Sequence, residues 1–216
     1  MVDGFIRVGV ATPDVKVADT QYNKNSAIEM MKESVKSDIA LLVLPELHLT
    51  SYTCQDLFFQ RTLQEGAKRA LLDLVEASKT LPLLTIVGVP LVCEGKLYNC
   101  AVAFENGKIL AVIPKTHLPN YQEFYEMRWF SPALEKDMEI TIGEQTVLFS
   151  KNVLLQSKYH PDITIGVELC EDLWAPTAPS IQHNSHWLFF APGAAFGPNF
   201  PRHRYGTGSG ALRGAP

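Results

Sequence analysis

Three residues with complementary chemistry each follow a short apolar run: Glu46 closes "LLVLPE", Lys115 closes "LAVIPK" and Cys170 closes "ITIGVELC". A carboxylate can take the proton from a thiol, and a thiolate can attack a carbonyl carbon. A lysine can hold first the thiolate and then the oxyanion that the attack creates. Together they form a set for acyl transfer. Taken singly, each has a plainer reading: a solvated loop acid, a surface lysine, a small buried hydrophobe. Proline before both Glu46 and Lys115 fixes the local backbone where a functional side chain would need accurate presentation. Cys170 raises its own difficulty. Glu168, Glu171 and Asp172 surround it in "GVELCEDLWAP", and negative charge disfavours a thiolate. Either Cys170 is inert or the fold brings a cation to it.

The elements that must position these residues can be read from hydropathy. Runs rich in Val, Ile and Leu at 5–11, 39–47, 83–92, 98–105, 109–115 and 162–170 predict strands buried on both faces. Residues 23–37 and 64–79 carry apolar residues at helical spacing, among them Ala67, Ala70, Leu71, Leu74 and Val75. Strand, helix, strand order implies an α/β domain. Asn106-Gly107, between two apolar runs, predicts a hairpin, so the sheet should be mixed. Functional residues in such sheets gather beyond the carboxyl ends of the strands, where Glu46, Lys115 and Cys170 all fall.

Composition narrows the partners. A chain of 216 residues, 46% hydrophobic, can bury one sizeable core. The formal charge of -4 supplies no basic surface for nucleic acid or an anionic membrane. The amino terminus lacks a basic region ahead of a long apolar stretch, and no apolar run approaches the roughly 20 residues that span a bilayer. A soluble, cytoplasmic protein acting on a small molecule is the expectation. Cys54, Cys93, Cys100 and Cys170 form no C-x-x-C pair and have no His at zinc-ligand spacing, so reduced thiols and no metal site are expected.

The motifs "LPEL", "IPKTHLPNYQEFYEMRWF" and "GVELCEDLWAP", in this order and separation, resemble the Glu, Lys and Cys motifs of the nitrilase superfamily of carbon–nitrogen hydrolases. The longer wording, "PELHLTSYTCQDLFFQ" and "KTHLPNYQEFYEMRWF", is similar to the amino-terminal glutaminase domains of the glutamine-dependent NAD synthetases, from about Phe5 to Pro176. The resemblance implies an α-β-β-α sandwich with mixed sheets. It implies Cys170 as nucleophile, Glu46 as general base and Lys115 as the cation over the tetrahedral intermediate, with Glu126 as a second acid supporting the lysine. Tyr52, Tyr121 and Phe124 would line a glutamine pocket that Trp174 could wall. The implied reaction is attack on the side-chain amide of L-glutamine, loss of ammonia and hydrolysis of a glutamyl thioester. That step needs no cofactor. ATP and magnesium would belong to a separate synthetase domain, whose S-G-G-x-D-S loop does not occur in this sequence. The superfamily commonly forms homo-oligomers. Lys115 would supply the positive charge that the acids around Cys170 withhold, those acids pointing away because adjacent strand residues face opposite sides.

The resemblance divides the chain into a glutaminase-like domain, 1–176, and an atypical stretch, 177–216, expected to be poorly ordered and to leave the fold incomplete at its carboxyl end. From Leu173 onward there is no Asp, Glu or Lys. The Asn-x-Ser-Ala-Ser-like loop expected of the family is replaced by "HWLFFAPGAAFGPNF", which reads as a shifted frame. Two other functions stay open at this point: a free-standing amidase acting on another small amide, and a noncatalytic fragment that only pairs with its own copies.

Overall fold

The computed structural model describes residues 5–158, 161–182 and 188–190. A seven-stranded sheet runs in the order β1 (Val8–Val10), β2 (Leu41–Val43), β3 (Leu84–Cys93), β4 (Lys96–Glu105), β5 (Lys108–Pro114), β7 (Gln145–Phe149), β6 (Met138–Ile142). β1, β2 and β3 pair in parallel, β3, β4 and β5 pair antiparallel, and β7 joins β5 in parallel. The sheet is mixed, as the Asn106-Gly107 hairpin predicts. Both turn residues have positive φ, 49° and 75°, which suits the right-handed twist of the flanking strands. A second tight turn of the same kind, Glu94-Gly95, joins β3 to β4. That turn carries no signature in the sequence, because Glu is a poor residue for positive φ.

A second, three-stranded sheet contains β10 (Leu188–Phe190), β9 (Thr164–Val167) and β8 (Leu154–Gln156). The large sheet separates two cores, because alternate residues of each strand face opposite sides. Leu42, Val87, Val89, Val102, Phe104 and Val112 meet the helices α1 (Thr20–Lys36) and α2 (Arg61–Ala77) through Ala27, Met31, Ala67, Leu71 and Leu74. Leu41, Val43, Ile86, Ala101, Ala103, Ala111 and Ile113 pack instead on Ile165, Val167 and Leu169. The small residues of β4 and β5 therefore face the second sheet. Among the described residues the layers are helix, sheet and sheet.

Of the stretch after Pro176, the structure describes the short helix α4 (Pro179–Gln182) and β10, which extends the second sheet in parallel beside β9. Thr177 and Ala178 are also described, and the remainder of that stretch, with its expected disorder, lies outside the described residues. None of the described helices is long and apolar enough to cross a membrane.

Candidate active site

Glu46 follows β2 in a tight turn that β3 holds from beneath. The turn rests directly on Gly88, whose N–H donates to the Pro45 carbonyl (3.2 Å). A Cβ at residue 88 would lie 2.2 Å from the Leu47 nitrogen and 2.4 Å from the Pro45 oxygen. Only glycine permits this approach. Lys115 follows β5, and its N–H donates to the Asn99 carbonyl of β4 (2.8 Å). Glu126 opens the four-residue helix α3 (Glu126–Trp129).

These three side chains meet in the interior. Lys115, with 0% exposure, donates from Nζ to Glu46 Oε1 (2.6 Å) and to Glu126 Oε1 (2.7 Å). Glu126 is as fully buried as the lysine, not a helix-surface acid. Its Oε1 also accepts from the Tyr52 hydroxyl (2.7 Å). Asn99 Nδ2 donates to Glu46 Oε1 (2.7 Å) and to Glu126 Oε2 (3.5 Å). Glu46 Oε2 is left buried without a hydrogen-bond partner.

Two acids and one cation share this space, and the electrostatics follow from that count. Burial raises the Glu126 pKa first and the Glu46 charge raises it further, against the pull of Lys115. For Lys115 burial works against the charge, but Glu46 and Glu126 outweigh it and hold the pKa above the usual lysine value. Cys170 is close enough for its own charge to raise the pKa of both Lys115 and Tyr52. The fold thus brings a cation to the cysteine.

The acids around Cys170 are dealt with differently from the strand alternation expected. β9 ends at Val167, and Cys170 instead begins a 3-10 turn, Cys170–Leu173, in a left-handed conformation with φ of 47°. Each neighbouring acid has a partner elsewhere. Glu168 Oε2 accepts from the Ser180 N–H (3.1 Å), Glu171 Oε2 from the Tyr121 hydroxyl (2.9 Å), and Asp172 from three backbone N–H groups. The other thiols are buried, and burial raises the pKa of Cys54, Cys93 and Cys100 alike.

Aromatic rings connect the buried acids to the surface. Tyr52 and Phe124 meet edge to face at 6.4 Å between centroids, and Phe124 and Tyr121 do so at 5.7 Å. The wall runs from the Tyr52–Glu126 bond to the Tyr121–Glu171 bond. Trp174 is 71% exposed, and no ring contact joins it to the other three. The His117 ring lies beside the Thr177 carbonyl (3.3 Å). Sequence reasoning missed Asn99, Gly88 and the backbone contacts of Asp172. An Asn inside the apolar run "LYNCAVAF" was the available signal, since a polar side chain in a central strand must find a buried partner. Among the described residues, no group of His, Cys, Asp and Glu side chains could hold a metal ion.

Comparison with known proteins bears on the family and the fold. The glutamine-dependent NAD(+) synthetase of Mycobacterium tuberculosis (strain H37Rv) is 36% identical over 179 residues, which is 83% of this chain and 26% of the synthetase. The human enzyme of the same name is 33% identical over 147 residues, 63% of this chain and 20% of its own length. The chain therefore spans about a quarter of the length of the curated relatives it matches most fully. The crystal structure of a glutamine-dependent NAD(+) synthetase from Cytophaga hutchinsonii superposes with a TM-score of 0.75 at 26% identity, over 87% of this chain and 30% of that one. An amidase of the nitrilase superfamily from Nesterenkonia AN1, 16% identical, shares the fold with a TM-score of 0.66 over 87% of this chain and 64% of its own. Residues 7–185 match the carbon-nitrogen hydrolase family, a match that runs past Pro176. With its three motifs in register and its mixed sheet packed on a second sheet, this chain belongs to the carbon-nitrogen hydrolase family.

Proposed function

We propose that this chain hydrolyses the side-chain amide of L-glutamine through a thioester on Cys170. The observation that carries the reading is Lys115 Nζ, wholly buried between Glu46 Oε1 and Glu126 Oε1 while Glu46 Oε2 stays unpartnered. That oxygen accepts the thiol proton. The sulfur attacks the amide carbon, and the Lys115 ammonium with the Glu171 N–H, the next amide after Cys170, holds the oxyanion. The proton passes to the leaving nitrogen, ammonia departs and a glutamyl thioester remains. Water, deprotonated by Glu46, then releases glutamate.

Glu46 and Glu126 keep Lys115 charged, and Lys115 with Asn99 holds Oε1 of Glu46 so that its other oxygen stays available. Tyr52, Phe124 and Tyr121 wall the substrate pocket, with Trp174 at its mouth. The step as proposed draws on side chains, one backbone N–H and water. The breadth of the resemblance to glutamine-dependent NAD(+) synthetases supports ammonia transfer to an NAD synthetase domain that uses ATP and magnesium. On this reading residues 1–176 are the glutaminase unit, 177–216 an appended stretch, and the protein a cytoplasmic homo-oligomer. Glutamate release from L-glutamine by the purified chain, with Cys170→Ala as the blank, tests the reaction. Release that persists in the variant would remove Cys170 from the chemistry, and its absence in a folded wild-type chain would reject glutamine as substrate.

A further inference from the structure

We infer that Asp172 is a positioning residue whose buried carboxylate pins the loop after Lys115 to the Cys170 turn and thereby sets the approach of Nζ to Sγ. Its Oδ1 accepts the backbone N–H of Thr116 (3.1 Å) and of His117 (2.6 Å). Oδ2 accepts the Leu169 N–H (3.1 Å) and shares that of Thr116 (3.3 Å). Thr116 is the chain neighbour of Lys115, and Leu169 that of Cys170. One carboxylate therefore grips both functional residues by the peptide next door. The distance between the two loops is fixed by four acceptor contacts rather than by apolar packing, which slides more easily.

The same residue closes the turn that carries the thiol. Asp172 N–H donates to the Leu169 carbonyl (2.9 Å) while Leu169 N–H donates to Asp172 Oδ2, so Cys170 and Glu171 sit inside a ring of two hydrogen bonds. Cys170 has positive φ there, a conformation that a residue with a Cβ keeps only where its surroundings impose it. Asp172 itself is 1% exposed, and its partners are backbone N–H groups that any sequence would offer. A carboxylate is the one side chain of this size that can accept on both oxygens. Asp172 touches no reacting atom in this account and acts through Lys115 and Cys170.

The inference rests on the thioester reading, and its test separates the two. The full chain, Asp172→Asn and Asp172→Ala would be compared in iodoacetamide labelling at each cysteine by mass spectrometry, in kcat and KM on L-glutamine, and in Tm. Asn keeps one accepting oxygen and turns an NH2 toward a backbone donor. Cys170 labelling and kcat should fall together by about tenfold to a hundredfold in Asp172→Ala. Asp172→Asn should lie between, with KM within about twofold of wild type, as expected for lost alignment without lost binding. Labelling of Cys54, Cys93 and Cys100 should not change. A wild type that labels quickly at Cys170 but releases no glutamate rejects the substrate, while the labelling ratios still decide the role of Asp172. Unchanged Cys170 labelling in folded variants, a loss confined to KM or to Tm, variants that do not fold, or a wild-type Cys170 no faster than the other thiols would each overturn the assignment.

Discussion

The seam between α3 and the 3-10 segment Tyr52–Phe59 carries two polar networks, one facing inward and one outward. Inside, Glu126 accepts from Tyr52 and Lys115 with no access to water. Two residues along the same helix, Arg128 makes a two-pronged pair with Asp56 (2.7 and 2.8 Å), also held by Trp129 Nε1 (2.9 Å), with both side chains more than half exposed. The distances are alike, and the energetic consequences are not. Outside, water and salt screen the charges, and either partner lost is resolvated. Inside, a lost partner leaves its fellow charge without compensation. The outer pair fastens the seam, whereas the inner one stores a charge arrangement that exists only while every member is present.

The largest test of this contrast is Lys115→Ala. Removing the cation leaves Glu46 and Glu126 facing each other in a dry site, so stability should fall by about 3–5 kcal/mol in urea unfolding. Turnover should fall about a hundredfold or more through the lost oxyanion donor. A variant as stable as wild type would break the comparison.

A buried titratable group of the opposite kind sharpens it. His48 is buried two residues past Glu46, with Nε2 at 3.2 Å from the Asn23 carbonyl, and burial lowers its pKa to about 4. The unfolded chain then binds a proton more readily than the folded one between pH 6.5 and about 4, so stability is lost as pH falls through that window. The loss is on the order of 3 kcal/mol. His48→Gln keeps a donor for Asn23 but does not titrate, and its stability-versus-pH curve should be flatter by that amount. Glu126, with its raised pKa, acts in the opposite sense, since its charging weakens folding as pH rises above the ordinary carboxylate range. Parallel curves for wild type and His48→Gln would show that His48 protonates in place without cost.

Arg128→Ala should have the smallest effect: a slight drop in Tm that shrinks further in high salt, with kcat nearly unchanged. A loss approaching that of Lys115→Ala would show that the outer pair is coupled to the inner one.

The central strands were legible because β3, β4 and β5 are buried on both faces and read as unbroken apolar runs. β6 and β7 were not, because "MEITI" and "QTVLF" pair at the sheet edge with polar residues facing out. Glu46, Lys115 and Cys170 stood out by chemistry at the ends of apolar runs, and the structure brings Glu46 and Lys115 into direct contact beside Cys170. Glu126 was reached through the family resemblance alone, because a helix of four residues has no periodicity to show which side is inward. Asn99 stood out in its apolar run but its partner Glu46 is 53 residues away, and Gly88 gave no signal because the turn it supports, Pro45–Leu47, is about 40 residues away in sequence. The turn at Cys170 was misjudged as strand because β9 stops at Val167 and the chain then turns through a left-handed Cys170, inside the hydrogen bonds that join Leu169 and Asp172.

Those long separations also fix when reactivity appears. Glu46 and Lys115 are 69 positions apart, Glu46 and Asn99 53, Thr116 and Asp172 56. Loop closures of that length come late in folding, after the local hairpins and helices. On the proposed reading, a nascent or partly folded chain carries four ordinary thiols, and Cys170 is activated only once these distant segments have docked. The speed at which Cys170 reacts is in that sense a clock for the completion of the fold.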